Sequence, residues 1–183
     1  VKQWQEANKR PYWACAKGSG AVDTVWKQAA LAESRTNDGI HTAAVLWDLK
    51  SFFDTVDHGL LRRNGERYGF PKVLLNIAIL AYKWPRILST RAATAKPVWP
   101  GRGIVHAFAM AMVQLAYIAD VDEFIKRNPD IGLDIYVDDI VLRKSAREQV
   151  EVTARLKCAA EEFKTSVQDC MQCDIEWTKA ATT

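Results

Sequence analysis

The sequence predicts an α+β fold, an antiparallel sheet with helices packed on one of its faces, and three observations predict it. Short β-branched, apolar runs at 41–47, 133–137 and 140–143 have the length and composition of strands. The last two are separated only by Asp138-Asp139, a spacing that admits a hairpin and therefore antiparallel pairing. Longer segments between and after the strands carry apolar residues at helical spacing. With 183 residues, 49% of them apolar, the chain is long enough to bury one sizeable core. No Ser/Gly linker, repeat or low-complexity tract divides it, so a single domain is expected over 1–183.

In chain order, the first helix is expected at 22–33, where Val25, Trp26, Ala29 and Ala30 recur at helical spacing. The strand at 41–47 runs directly into Asp48. Asp57 suits the N-cap of a helix continuing to about Tyr68, and Pro71 suits the first turn of the next, to about Lys83. The stretches 86–90 and 95–99 read as two short strands around a turn. After the glycine-rich turn Pro100-Gly101-Arg102-Gly103 a long helix is expected from about Val105 to Lys126, stopping before Pro129 because the residue preceding a proline disfavours helical geometry. The hairpin around Asp138-Asp139 follows, then a charged amphipathic helix over about 146–164 and a last edge strand at 174–177.

The longest apolar candidate, 104–119, is interrupted by His106 and Gln114, which predicts a buried helix, no membrane partner and a soluble protein; the cysteine usage suits an intracellular one, in nucleus or cytoplasm. The chain begins Val1-Lys2-Gln3-Trp4, without a signal peptide or an initiating Met, as expected of a segment from a longer polypeptide. Cys15, Cys158, Cys170 and Cys173 are expected to be reduced thiols. Cys170-x-x-Cys173 has the spacing of half a zinc site, but no second pair accompanies it. The net charge of +3 is unevenly spread. From Leu60 to Val105 nine Lys and Arg residues face the single acid Glu66, whereas acids outnumber bases from His106 onward. Such polarity suits a surface that meets phosphates, and equally a solvated helix face.

Two segments carry residues suited to metal-dependent nucleotidyl transfer. That reaction uses two divalent ions about 4 Å apart, one activating the attacking hydroxyl and one holding the triphosphate and leaving group. Magnesium takes oxygen ligands, usually one or two carboxylates with water and phosphate oxygens completing its shell. The protein must therefore bring aspartates together at the end of a rigid sheet. Asp48-Leu49-Lys50-Ser51-Phe52-Phe53-Asp54 places an aspartate where a strand ends, and Tyr136-Val137-Asp138-Asp139 places a pair at a hairpin bend. Either alone reads more readily as a turn or cap residue.

Read in order, the two segments resemble a known family. Asp48-Leu49-Lys50-Ser51-Phe52-Phe53-Asp54-Thr55-Val56-Asp57-His58-Gly59-Leu60-Leu61 is similar to the first palm motif, Asp-Leu-x-x-Ala-Phe-Asp-x-Val-x-His-x-x-Leu, of reverse transcriptases of the non-LTR retrotransposon and group II intron type. Tyr136-Val137-Asp138-Asp139 resembles their Tyr/Phe-x-Asp-Asp motif. The resemblance runs from about Tyr12 to Lys179 and implies a polymerase palm with partial fingers and no thumb, endonuclease or RNase H segment. It implies an RNA-directed DNA polymerase of a retroelement, with an RNA template, a DNA primer, dNTPs and two Mg2+ ions, or Mn2+ in their place.

Residue by residue, the resemblance makes Asp48, Asp138 and Asp139 the catalytic carboxylates and metal ligands, with the Leu49 carbonyl as a further ligand. Phe53 matches the aromatic that packs under the nucleotide sugar. A flat ring there would clash with a ribose 2'-hydroxyl and leave it unpaired, which also makes RNA synthesis the less expected chemistry. Asp54 and His58 read as structural, a lone His at a helix start being most often a cap or surface residue. The family segment Gly-x-Pro-Gln-Gly-x-x-x-Ser-Pro corresponds to 103–112 here, where His106 stands for Gln and Ala107 for Gly. Histidine retains a hydrogen-bond donor, but a methyl is added at Ala107, where glycine lets a backbone approach a ligand closely. In the fingers, 16–23 keeps the family's glycine and aspartate but neither arginine, leaving Lys17 as the nearby phosphate contact. Trp177-Thr178-Lys179 sits where the family has a lysine that protonates the leaving group. Two alternatives follow from these departures: a catalytically inactive remnant, and a module that binds nucleic acid through its basic middle without chemistry.

Overall fold

The strand-forming runs pair as their spacing requires. The computed structural model describes residues 1–14, 21–105, 109–170, 174–175 and 181–182. In chain order these form α1 (Lys2–Ala7), α2 (Ala21–Asn37), β1 (His41–Lys50), α3 (Phe52–Thr55), α4 (His58–Arg67), α5 (Lys72–Tyr82), α6 (Ala109–Arg127), β2 (Gly132–Tyr136), β3 (Asp139–Ala146), α7 (Gln149–Cys170), β4 (Asp174–Ile175) and β5 (Ala181–Thr182). The sheet order is β2-β3-β1-β4, with β5 also on β1 and every pairing antiparallel. The architecture is α+β, as expected.

Alternation along the strands separates two faces. On one, Trp47 lies opposite Ile140, Val45 opposite Leu142, and β2 adds Leu133 and Ile135. This face is buried by α6 and α7: Phe163 of α7 stacks on Trp47 at 5.7 Å and meets Phe124 of α6 edge-on at 4.9 Å. Helix α6 is buried continuously from Ala111 to Ile118, with α4 packed on it and the turn after α1 held to it at Asn8. There Asn64 donates to the Leu115 carbonyl at 2.6 Å, and Gln114 donates to the Asn8 carbonyl at 2.8 Å. This enclosure accounts for the apolar composition of 111–118. No helix among the described residues is long and apolar enough to cross a membrane.

The opposite face departs from the expectation of helices on one side only. It carries Asp134 and Arg143, which pair with each other, and α2 docks over it through Gln28, which donates to Asp134 at 3.3 Å. A polar sheet face selects the polar side of the helix. The apolar positions Val22, Val25 and Trp26 of α2 therefore face away, Trp26 being 70% exposed.

Other differences are local. Asp57 caps α4 as expected, accepting from the Leu60 amide at 2.8 Å, whereas Pro71 is the N-cap of α5 and not part of its first turn. Residues 86–99 form no regular strands and are held by two isolated bridges, Arg86 with Val98 and Ser89 with Thr94. The outer edge of β2 is covered by residues 12–14, where Ile135 donates to the Tyr12 carbonyl at 2.8 Å and accepts from the Ala14 amide at 2.9 Å. That edge is locked at a distance: Arg10 and Tyr12 both donate to the Asp122 carboxylate of α6, at 3.0 and 2.9 Å. Burial, with the adjacent carboxylate, holds the Tyr12 phenol protonated far above its ordinary range.

Candidate active site

The site grows from the end of β1. Alternation turns Trp47 and Leu49 into the core, 5% and 2% exposed, and leaves Asp48 and Lys50 on the open face. The strand ends at Ser51, whose left-handed backbone (φ 48°) swings the chain into the single turn of α3. Phe52 anchors that turn. It is 1% exposed, stacks on Tyr117 of α6 with centroids 5.1 Å apart, and meets Phe53 edge-on at 5.7 Å. The ring of Phe53 is thereby fixed beside β1 and remains half-buried.

The second carboxylate arrives on the hairpin. Tyr136 pairs with Asp139, closing a two-residue turn of Val137 and Asp138. Val137 has φ 61°, a region that costs a β-branched residue roughly 1–3 kcal/mol and persists only where surrounding structure imposes it. One such constraint is visible, since the Leu49 amide donates to the Asp138 carbonyl at 3.3 Å and stitches the hairpin tip to β1. Asp48, Leu49, Phe53 and Asp138 consequently line one cleft of about 360 Å³ together with Lys50, Ser51, Phe52 and Asp54. Asp139 pairs directly with Asp48 across the ladder and is exposed at the rim, outside the cleft lining.

A third segment packs on the same turn. Gly103 donates its amide to the Val56 carbonyl at 2.9 Å, and Ile104 donates to the Phe53 carbonyl at 2.7 Å. Gly103 adopts φ +94°, and a Cβ there would stand 3.0 Å from the Phe53 carbonyl oxygen, so this contact requires glycine. His58 completes the strap. It is neither the cap nor a surface residue: it is 4% exposed, and its Nε2 donates to the Gly103 carbonyl at 2.7 Å, which assigns the proton to that nitrogen. Its structural role stands, with a different physical basis.

His106, Ala107, Lys17 and Lys179 lie outside the described residues, as do Cys15, Cys173 and the side chain of Cys170. Cys158 is a free, exposed thiol. The sequence reading missed Lys50, Ser51 and Phe52 as cleft residues and Gly103 as the clamp beneath it. Alternation from Asp48 would have placed Lys50 on the same face.

Asp48 and Asp138 present only oxygen donors, and with the Leu49 main chain they match the one or two carboxylates that magnesium commonly draws from protein. Among the described residues no cluster of three or more His, Cys, Asp or Glu side chains forms a closed metal site, so any ion here would complete its shell with water or substrate oxygens.

No protein-family model matches the sequence, and no curated protein matches it. Solved structures do match. A telomerase from Candida tropicalis in complex with a TWJ fragment of telomeric RNA aligns with TM-score 0.66 at 9% identity, over 100% of this chain and 32% of that one. Apo telomerase from the same organism, truncated from its C-terminal domain, aligns with TM-score 0.60 at 8% identity, over 90% and 35%. A telomerase from Candida albicans, also in complex with a TWJ fragment of telomeric RNA, gives 0.57 at 12% identity, over 90% and 30%. The chain spans about a third of the length of these telomerases. At such identities the likeness lies in the path of the backbone: the chain shares the fold of the matched part of these telomerases.

Proposed function

We propose that this chain is the fingers-and-palm part of an RNA-directed DNA polymerase from a retroelement of the non-LTR or group II intron type. It would add dNTPs to a primer 3'-hydroxyl along an RNA template. The observation that carries this reading is the shared cleft: Asp48 and Asp138, 90 positions apart in sequence, face one space beside Phe53. The telomerase-like backbone supports it at the level of fold.

Asp48 and Asp138 would hold two magnesium or manganese ions, with the Leu49 carbonyl as a further ligand and Asp139 at the rim. When bound, such ions acidify an attacking hydroxyl and neutralise charge on a triphosphate. The protein's own contribution is placement. The Leu49–Asp138 main-chain bond fixes the hairpin against β1. The Phe52–Tyr117 stack anchors the turn that carries Phe53, and the Phe53 ring would lie under a deoxyribose and reject a 2'-hydroxyl. Lys50 places a cation in the same cleft, where it would attract a triphosphate.

Primer extension by the full-length protein on an RNA template tests this directly. Asp138→Asn is expected to lower synthesis about 100-fold or more, because the Lewis-acid term it removes is worth several kcal/mol. Synthesis indifferent to Asp138 would remove the reading. Duplex binding without any Asp138-dependent synthesis would favour a non-catalytic nucleic-acid-binding relic, the reading that His106, Ala107 and the missing fingers arginines support.

A further inference from the structure

The most unusual surface of this protein is the hairpin over 84–99. Every residue from 83 to 99 is exposed. Backbone bonds hold it: Arg86 and Val98 exchange both amide bonds at 2.8 and 2.9 Å, Ser89 and Thr94 join hydroxyls at 2.9 Å, and Thr90 closes the tip against Ala93. A two-stranded hairpin with no apolar face against a body is marginal in water. Yet this one presents Trp84 and Trp99, 70% and 72% exposed, at its base, one on each arm just outside the Arg86–Val98 pair.

Its charge says what would cover it. Between Glu66 and Asp120 there is no acidic residue, and the hairpin and its approach carry Lys83, Arg86, Arg91 and Lys96. None of these four is engaged in an ion pair among the described residues. Exposed aromatic rings set among unpaired cations are the combination by which proteins hold single-stranded nucleic acid, the rings stacking on bases and the cations following the phosphates. Position agrees with this occupant. Trp99 is four residues before Gly103, at most about 14 Å along the chain. Gly103 itself is clamped on the Phe53–Val56 turn at the cleft.

We propose that the 84–99 hairpin is a stacking platform for single-stranded nucleic acid, delivering the strand to the Asp48–Asp138 cleft. This assignment rests on the reading of that cleft as a polymerase site, but binding at the hairpin is measurable without catalysis.

The test is anisotropy of a labelled single-stranded RNA of about 16 nucleotides, a length that spans common single-strand sites. It is titrated with wild type, Trp84→Ala, Trp99→Ala, the double variant, and Arg86→Gln/Lys96→Gln. Each tryptophan substitution is expected to weaken binding about 5- to 150-fold. The charge variant should reduce the slope of log K against log salt by about 1.4. Because all four side chains are exposed, melting curves should match wild type and exclude unfolding as the cause. Unchanged affinity in the double tryptophan variant overturns the proposal. So does self-association of wild type, seen by light scattering, that the tryptophan variants abolish while RNA affinity stays the same, since the hairpin would then be a protein-docking surface. Asp138→Asn should retain full RNA affinity while losing synthesis, so failure of the platform and failure of the polymerase reading give different results.

Discussion

Replacing Gly103 with alanine tests whether the strap beneath the cleft is a constrained element or an ordinary loop. At φ +94° an alanine is strained by about 1–3 kcal/mol wherever it sits. Its Cβ would also lie 3.0 Å from the Phe53 carbonyl oxygen and 3.1 Å from both the Cα and the carbonyl oxygen of Asp54. All three are main-chain atoms of a turn anchored by Phe52, so no side chain can swing aside. Relief requires moving the strap, which loosens the Ile104–Phe53 bond and the His58–Gly103 bond together. Strain and displaced contacts together come to about 2–4 kcal/mol, or roughly 5–12 °C in melting temperature for a chain of this size. Gly101→Ala is the matched control, since nothing lies within 4 Å of a Cβ there and its φ is ordinary. Thermal and urea denaturation followed by circular dichroism measure both variants. Melting of Gly103→Ala within about 1 °C of Gly101→Ala would refute the argument, and with it the claim that the 101–105 segment is held rigidly on the cleft.

Three further outcomes are expected. If Asp48 and Asp138 hold a divalent cation, magnesium at ten times its dissociation constant should stabilise the protein by about 1.4 kcal/mol, raising the melting temperature by roughly 3–5 °C. Asp48→Asn should abolish that increment, and an equal rise in the variant would place the ion elsewhere. Phe53→Ala should raise incorporation of ribonucleotides relative to deoxyribonucleotides roughly 10- to 100-fold in primer extension, and an unchanged ratio would reduce Phe53 to a core residue. Asp130, held down to about 2 by its bonds to Arg155 and, after these, Lys144, ties the start of β2 to α7 and β3. A carboxylate depressed on folding contributes stability that is complete above its ordinary pKa near 4 and is lost as pH falls towards 2. Since Asp130 is 38% exposed, screening reduces that contribution to about 1 kcal/mol. Asp130→Asn should therefore flatten the stability profile between pH 4 and 2, and an unaltered profile would assign the acid sensitivity to other carboxylates.

The parts of this molecule that were legible in its sequence are those whose signal is local. A β-branched run ending on aspartate, and two such runs about an Asp-Asp bend, announce strands and a hairpin because strand composition and turn composition differ within a few residues. The cap at Asp57 was legible for the same reason. What the sequence did not disclose is set by partners far along the chain. Asp122 gives no sign that it accepts from Arg10 and Tyr12, and α2 shows the periodicity of a helix without saying that the sheet face it meets is polar. The 86–99 region has strand composition, but with no apolar surface to cover it, it is reduced to two bridges.

The same division runs through the cleft itself. Asp48 and Asp138 could be named in advance as candidates because carboxylates are magnesium's usual protein ligands and because their two segments, read together, resemble the motifs of a known family. The contacts of Phe52 and His58 could not, because they are made far along the chain: Phe52 stacks on a tyrosine 65 positions away, and His58 donates to a glycine carbonyl 45 positions away. These contacts nevertheless decide whether the carboxylates are useful. The α3 turn is a single turn that follows a left-handed serine and has little stability of its own, so its geometry is imposed by the Phe52–Tyr117 stack from within and the Gly103 strap from the side. A change at either support should move Phe53 relative to Asp48 without altering either of those two residues. If the cleft is the polymerase site proposed above, where displacements of about 1 Å would cost roughly 100-fold in rate, these supports would constrain function as tightly as the aspartates.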